Sequence, residues 1–238
     1  MQFGDISPGL LIAGVVGLGL APFLAVMATS FTKLVVVLSL LRNALGLQQT
    51  PPSVVINGLA LVLSIYVMYP VMLETTAAVQ EAELMQAAEA GKRQFDVETG
   101  QYVEPAPKSD LEIMVERFDS GKEPLRNFLI KHSDTAERKF FYDSAKKMLP
   151  PERQDDVSPG DFLIALPAFT VTELVEAFQI GFLIFLPFLV IDLIVSNILL
   201  ALGMMMLPPT IVSLPFKLLV FVLVDGWTKL VHGLVLTY

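Results

Sequence analysis

Twenty-seven consecutive residues, Ile6 to Thr32, carry no charged side chain. At about 1.5 Å of rise per residue, a helix of that length exceeds the ~30 Å hydrocarbon core of a bilayer. Comparably long apolar runs recur along the chain, the last two with a few embedded charges. A second is charge-free from Asn43 to Leu73, with its helical part opening near Ser53. A third runs from Phe162 to Met206, and a fourth from Ile211 to the C-terminus. Hydrophobic residues make up 54% of the chain and charged residues 17%, where a soluble domain carries about a quarter charged. That charge is concentrated: residues 74–161 hold 12 Lys/Arg and 19 Asp/Glu, and all the rest hold only 4 and 5. Two apolar ends therefore flank an acidic, water-soluble middle. This is the pattern of a membrane protein with one inserted domain.

The expected fold is all-α, built of long kinked helical hairpins with a small helical soluble insert. Residues 1–73 form the first hairpin, 74–161 the acidic insert and 162–238 the second hairpin. The first apolar run lacks the basic n-region and A-x-A site of a cleaved signal, so it is expected to be retained. Gly46, Pro51 and Pro52 place the turn of the first hairpin, and Pro167 and Pro187 are expected to interrupt the third run. Within the insert a helix rich in Ala, Glu, Leu and Gln should end at Gly91, and residues 91–110 read as a mobile loop. Ser109 with Glu112 fits a capping box, Gly121 is a stop and Pro124 a first helical position. Asp134 with Glu137 caps the next helix, and Ser158–Pro159 opens the one after it. Lys33 and Arg42 flank the first connection, which by the positive-inside rule puts it in the cytoplasm and the insert on the periplasmic side.

Three features bear on mechanism. Gly9, Ala13, Gly17, Ala21 and Ala25 recur every four residues, a stripe that reads as a docking face for close helix packing or as chance in an Ala/Gly-rich segment. Glu173 and Glu176 share a helix face in the third run, which also holds Asp192. Lys217, Asp225 and Lys229 stand in the fourth. A charge at the centre of a lipid-facing helix costs on the order of 2.5–3.5 kcal/mol, so these six must pair, face water or leave the bilayer. They read as ion pairs holding helices in register within or between subunits, as the lining of an aqueous path, or as an ion relay. Asp225 and Lys229 have the favourable i,i+4 order of a structural pair, and the other charges are expected to find counter-charges on sister or partner chains. Met204, Met205 and Met206 lie in a helix-breaking turn, as core filler or as a deformable seal.

Catalytic signatures are missing. There is no P-loop, the two histidines stand outside any H-E-x-x-H, and no G-x-S-x-G occurs. With no cysteine, disulfides and thiolate metal sites are excluded. No enzyme activity, cofactor or metal is expected, and the acidic balance argues against a nucleic-acid partner.

Two blocks carry a resemblance. Residues 28–71 include RNALG and LQQTPP, and residues 166–234 include AFQIGF, SNILLALGMMM, SLPFK and DGW. Together they resemble the FliP/SctR family of type III secretion export-gate membrane proteins, and the form VLSLLRNALGLQQTPP is similar to the injectisome branch more than the flagellar one. The resemblance implies a homo-oligomer of five copies. These would join four copies of a small two-helix export-gate subunit and one larger subunit in a closed cone in the bacterial inner membrane. Unfolded secreted proteins would pass through it after a cytoplasmic ATPase and a large cytoplasmic export-gate protein. The cone is implied to stand largely above the bilayer within the base rings, and Met204, Met205 and Met206 are implied to form its gasket. The competing reading is an ion-coupled transporter using the buried carboxylates as a relay.

Overall fold

The computed structural model describes residues 8–47, 50–90, 94–96, 101–103, 110–204 and 206–238. Helix α1 (Pro8–Met27) bends by 60° into α2 (Phe31–Ala44). Helix α3 (Ser53–Ala90) leads to a two-stranded antiparallel ribbon, β1 (Gln94–Asp96) and β2 (Gln101–Val103), with Phe95 opposite Tyr102. Helices α4 (Asp110–Lys131) and α5 (Thr135–Met148) follow, then a 3-10 turn at Pro151–Asp156. Helix α6 (Phe162–Ala201) turns into α7 (Pro209–Leu223), which bends by 61° into α8 (Gly226–Val235).

Helix α2 is the axle of the fold, packed between α3 and α6. Its Leu34, Val37, Leu38, Leu41 and Ala44 are all at most 1% exposed, and their 3-and-4 spacing puts them on faces that meet both neighbours. They meet Ile56 and Ala60 of α3, Ala177 and Phe188 of α6, and Phe221 and Leu234 beyond. The insert does not stand apart. Helix α4 lies on α3 and α6, and α5 lies on α6. The expected boundary at 73/74 falls inside α3, which runs through it unbroken.

Two helical segments, Ser53–Met85 and Phe162–Ala201, are long and apolar enough to cross a membrane. Each bent pair, α1 with α2 and α7 with α8, passes the same test as one broken span. The four apolar runs of the sequence thus become two to four possible crossings. Their outer faces are open: Val54, Val62, Phe182, Leu183, Ile211 and Leu223 all stand more than half exposed. A water-soluble monomer rarely tolerates a contiguous apolar patch above a few hundred Å², so lipid or other subunits must cover them.

Several local expectations need correction. Helix α6 passes through Pro167 and Pro187 without interruption, and α3 and α7 carry Pro70 and Pro215 inside them. One interior proline costs about 3 kcal/mol, but ending a helix in an apolar setting strands several backbone groups at several kcal/mol each. The helix therefore continues. Gly121 and Pro124 lie inside α4, not at its ends. A Cβ on Gly121 would come within 3.2 Å of Val79 Cγ2, so the glycine admits α3 close to α4. Helix α6 begins at Phe162 rather than at Ser158, whose N–H donates to Asp161 Oδ2 at 2.7 Å. The segment expected to be loop carries the β1–β2 ribbon, while Ser109 and Gly91 lie outside the described residues. Other expectations hold. Asp134 caps α5, accepting from the Ala136 N–H at 2.6 Å, and the first hairpin turns at Gly46, whose φ is +78°.

Gly181 is where α6 meets α2 most tightly, since a Cβ there would overlap the Leu40 side chain and lie 3.1 Å from Leu40 Cβ. Gly181→Ala should cost about 1–3 kcal/mol by overpacking. Gly233→Ala, with open space around it, should leave stability unchanged or raised. Thermal unfolding of the two variants in detergent checks this, and equal melting temperatures would contradict the packing account.

Candidate functional site: two buried ion-pair layers

Lys33 enters the core because it sits on the first turn of α2, on the same inward side as the apolar residues that follow. It is 1% exposed. Its Nζ lies 3.0 Å from Glu173 Oε1 and 2.6 Å from Glu176 Oε2. The contact with Glu173 Oε1 is ionic only, since that oxygen lies off any hydrogen-bond line. The two carboxylates, three residues apart on α6, close on one ammonium like a clamp. Glu173 is fully buried, whereas the Glu176 side chain is 46% exposed. The layer therefore carries two negative charges to one positive, and its surplus faces outward.

Tyr238 completes the layer from the other end of the chain. Its hydroxyl donates to Glu173 Oε2, and the Lys33 ammonium stands 4.3 Å from its ring centroid. Its ring stacks on Phe128 and lies 5.3 Å from the His132 ring. Burial first, then the Glu173 charge, pushes the Tyr238 phenol up, so it stays a donor. Nearby, Ser30 Oγ donates to Ser64 Oγ at 3.1 Å, and the hydroxyls of Thr32 and Thr170 donate to Val26 O and Met27 O at the α1–α2 bend.

The second layer joins α7 to α6 and α2. Lys217, 3% exposed, places Nζ 2.6 Å from Asp192 Oδ2 and 3.3 Å from the Ala44 carbonyl. Ser213 Oγ donates to Asp192 Oδ1 at 2.5 Å. The ammonium thus answers a carbonyl at the end of α2, where the helix dipole is negative. It also lies beside the left-handed Gly46, 3.9 Å from where a Cβ would stand.

Four of the six sequence-derived charges are thereby brought together inside one chain. The expectation that they find counter-charges on sister or partner chains is corrected for Glu173, Asp192 and Lys217. Folding already supplies Lys33 and a proper partner for each, so the pairs act within the subunit. Lys33, read from the sequence only as a topological marker, is the partner that was missed. Nothing in its local sequence marks it as buried. Asp225 and Lys229 are both exposed, and no ion pair joins them among the described residues. Asp225 caps the start of α8 in a left-handed conformation at φ +52°, and its carbonyl accepts from the Lys229 N–H at 3.0 Å, so the two are joined through the backbone and not as an ion pair.

Gly17, Ala21 and Ala25 of the small-residue stripe are exposed, with no helix covering them among the described residues. The surroundings of Gly9 and Ala13 lie outside the described set. In the turn between α6 and α7, Gly203 adopts φ +72°, Met204 is 46% exposed and Met206 98% exposed. Met205 lies outside the described residues. Among the described residues, no cluster of three His, Cys, Asp or Glu side chains is arranged to hold a metal ion.

This arrangement, long apolar helices riveted by two buried ion pairs with an open methionine turn, has relatives. The FliP family model matches residues 15–234. The chain belongs to the FliP family. It is 49% identical over 221 residues to the Yop proteins translocation protein R of Yersinia pestis, covering 93% of this chain and 92% of that protein. It is 43% identical over 228 residues to the hypersensitivity response secretion protein HrcR of Ralstonia nicotianae, with 96% of each covered. To the virulence protein YscR of Salmonella typhimurium it is 42% identical over 233 residues, covering 98% and 97%. Within the FliP family these relatives form the injectisome side. The resemblance carried by the two blocks is borne out, and the similarity extends beyond them across the insert.

Breaking a buried pair from one side costs about 3–5 kcal/mol, because the remaining charge is left in apolar surroundings. Lys33→Met should destabilise by that order, and Lys33→Met combined with Glu173→Gln by clearly less than the sum of the two alone. Denaturation of the four proteins in detergent measures the coupling, and strict additivity would show that the groups do not interact. A pH effect follows from His132, held below its ordinary value of 6.5 by burial and then by Lys131 and Lys33. The folded state binds this proton less readily than the unfolded chain. The resulting stability is full above the unfolded pKa and is lost as pH falls through 6.5 toward the lower folded value. Between about pH 7.5 and about pH 5.5 the melting temperature should fall more for the native protein than for His132→Gln. Equal falls would remove His132 from the account.

Proposed function

We propose that this chain is a core subunit of the type III secretion export gate, a conduit for unfolded proteins across the bacterial inner membrane. One observation carries the reading: the chain aligns over nearly its whole length with proteins named for translocation and secretion in virulence. Its physical chemistry agrees. A single copy satisfies its buried charges but leaves most of its apolar surface uncovered, which suits a subunit whose remaining contacts lie with other chains. The small-residue stripe of α1 is open for such a contact, as are Glu176, Asp225 and Lys229.

In this reading several copies surround an axis with a small two-helix partner and a larger one. The apparatus acts by structure, without catalysis. The run Met204, Met205 and Met206 between α6 and α7 supplies the seal at the axis. Unbranched thioether chains re-pack at little polar cost, so a ring of them closes on itself and deforms around a passing polypeptide. Core filler would be packed within its own chain, whereas Met206 is almost wholly free. Helices α4 and α5 with the β1–β2 ribbon form the insert and lie on the periplasmic side. Support for that side now rests on Arg42, which donates to Ser53 Oγ at 2.9 Å at the first hairpin turn. Lys33 is locked in an ion pair and is removed from the positive-inside count. An ion relay through Glu173 or Asp192 is disfavoured, since each carboxylate is committed to a fixed ammonium 3.0 Å or less away.

Replacing Met204, Met205 and Met206 together by alanine should raise ion leak through the complex while leaving its assembly intact. Conductance in bilayers, with co-purification of the partner subunits as control, tests this. An unchanged leak would remove the sealing role.

A further inference from the structure

The turn between α6 and α7 is held from both ends by its backbone. At the end of α6 the Gly203 N–H donates to the Leu200 carbonyl at 3.0 Å, and the Met204 N–H donates to the Leu199 carbonyl at 2.9 Å. These two nested bonds are the Schellman closure of a helix, which calls for a left-handed residue just past the helix end. Gly203 is that residue, at φ +72°. At the other end Pro208 and Pro209 open α7, and the Ile211 N–H donates to the Pro208 carbonyl at 3.2 Å. Proline fixes its own φ near −65°, so this end is set as firmly. Between the two ends the Leu207 N–H donates to the Met204 carbonyl at 3.3 Å.

Glycine stands at 203 for its conformation and not for space. A Cβ there would meet nothing within 4 Å, whereas at Gly181 and Gly226 it would strike Leu40 and Phe221. A side chain therefore fits at 203, but most L-residues are strained by the left-handed backbone. The left-handed step also decides where the following residues go. A helix prolonged past Leu202 would wind them around its own axis, and the step takes the chain off that axis instead. Met204, its N–H tied back to α6, is 46% exposed, while Met206 is 98% exposed.

We propose that Gly203 is the positioning residue of the methionine seal. Its left-handed step, locked by the two closure bonds, makes the end of α6 a preset mount for the thioethers and not a flexible lid. The seal then yields to a passing chain by rotation of methionine side chains, which have three rotatable bonds each, while the closure of α6 stays as it is. The inference rests on the sealing reading of Met204, Met205 and Met206, and adds to it the residue that sets their place.

The test compares Gly203→Ala with Gly203→Asn in the complex co-purified with its partner subunits. Asparagine enters the left-handed region readily and alanine does not, so the pair separates backbone conformation from side-chain bulk. Hydrogen exchange at the Met204 amide should quicken about tenfold in Gly203→Ala. Ion conductance of the closed complex in bilayers should rise by a similar factor, and Gly203→Asn should stay close to the native protein in both measurements. Gly203 is exposed, so both variants should assemble, and retention of the partner subunits checks it. The variant with all three methionines replaced by alanine is the reference. If it leaks and Gly203→Ala does not, the positioning role falls while the seal stands; if it does not leak, both fall. Equal leak from the alanine and asparagine variants, or unchanged exchange at Met204 in Gly203→Ala, would also overturn the proposal.

Discussion

The fold depends on one ammonium held out of water. Lys33 is buried at the start of the central helix, and its charge is tolerable there only because Glu173 and Glu176 close on it from a single turn of α6. Attraction between such groups is several-fold stronger in an apolar interior than in water. Loss of either partner is correspondingly costly. The clamp fixes the register of α2 against α6, and Tyr238, drawn onto Glu173 and over Lys33, ties the end of the chain to the same point. Lys217 and Asp192 repeat the device eleven residues further along α2, at the Ala44 carbonyl. That is about 17 Å away at helical rise. Two fixed points of this kind on one helix leave little freedom to slide or rotate.

Lipid-like surroundings explain why apolar contacts alone would not suffice. In water, burying a leucine is worth about 1.5–3 kcal/mol, but between helices already in hydrocarbon that driving force is absent and packing must replace it. The same reasoning covers the prolines. Where no water is present to satisfy a freed carbonyl, the helix continues past Pro167 and Pro187. Glycines then serve close approach: Gly181 admits Leu40, and Gly121 admits Val79.

Membership of the FliP family gives these features a setting in secretion. Four of the six charges that looked like demands for neighbouring subunits are met within the chain. What remains for neighbours is apolar surface, the open stripe of α1, the half-exposed Glu176 and the methionine turn. A subunit that is internally riveted and externally greasy can be stable as a folded unit and still require others to cover its faces.

Much of this was legible in the residues. Long charge-free runs dictated helices, because no other regular open structure satisfies its backbone in hydrocarbon. Gly46 with Pro51 and Pro52 dictated the first turn, and Asp134 dictated the start of α5, because these depend on local backbone and capping chemistry. Family membership was legible too, in RNALG, AFQIGF and SNILLALGMMM. The partners of the charges were not. Lys33 and Glu173 are 140 positions apart, and an ammonium after a polar Ser-Phe-Thr looks the same whether it ends at a membrane surface or inside a core. Asp225 and Lys229 had helical spacing, but only the folded chain shows Asp225 as a left-handed cap at the start of α8. Local order follows from neighbouring residues; the pairing of distant charges is settled only when packing brings their helices together and decides which of them water still reaches.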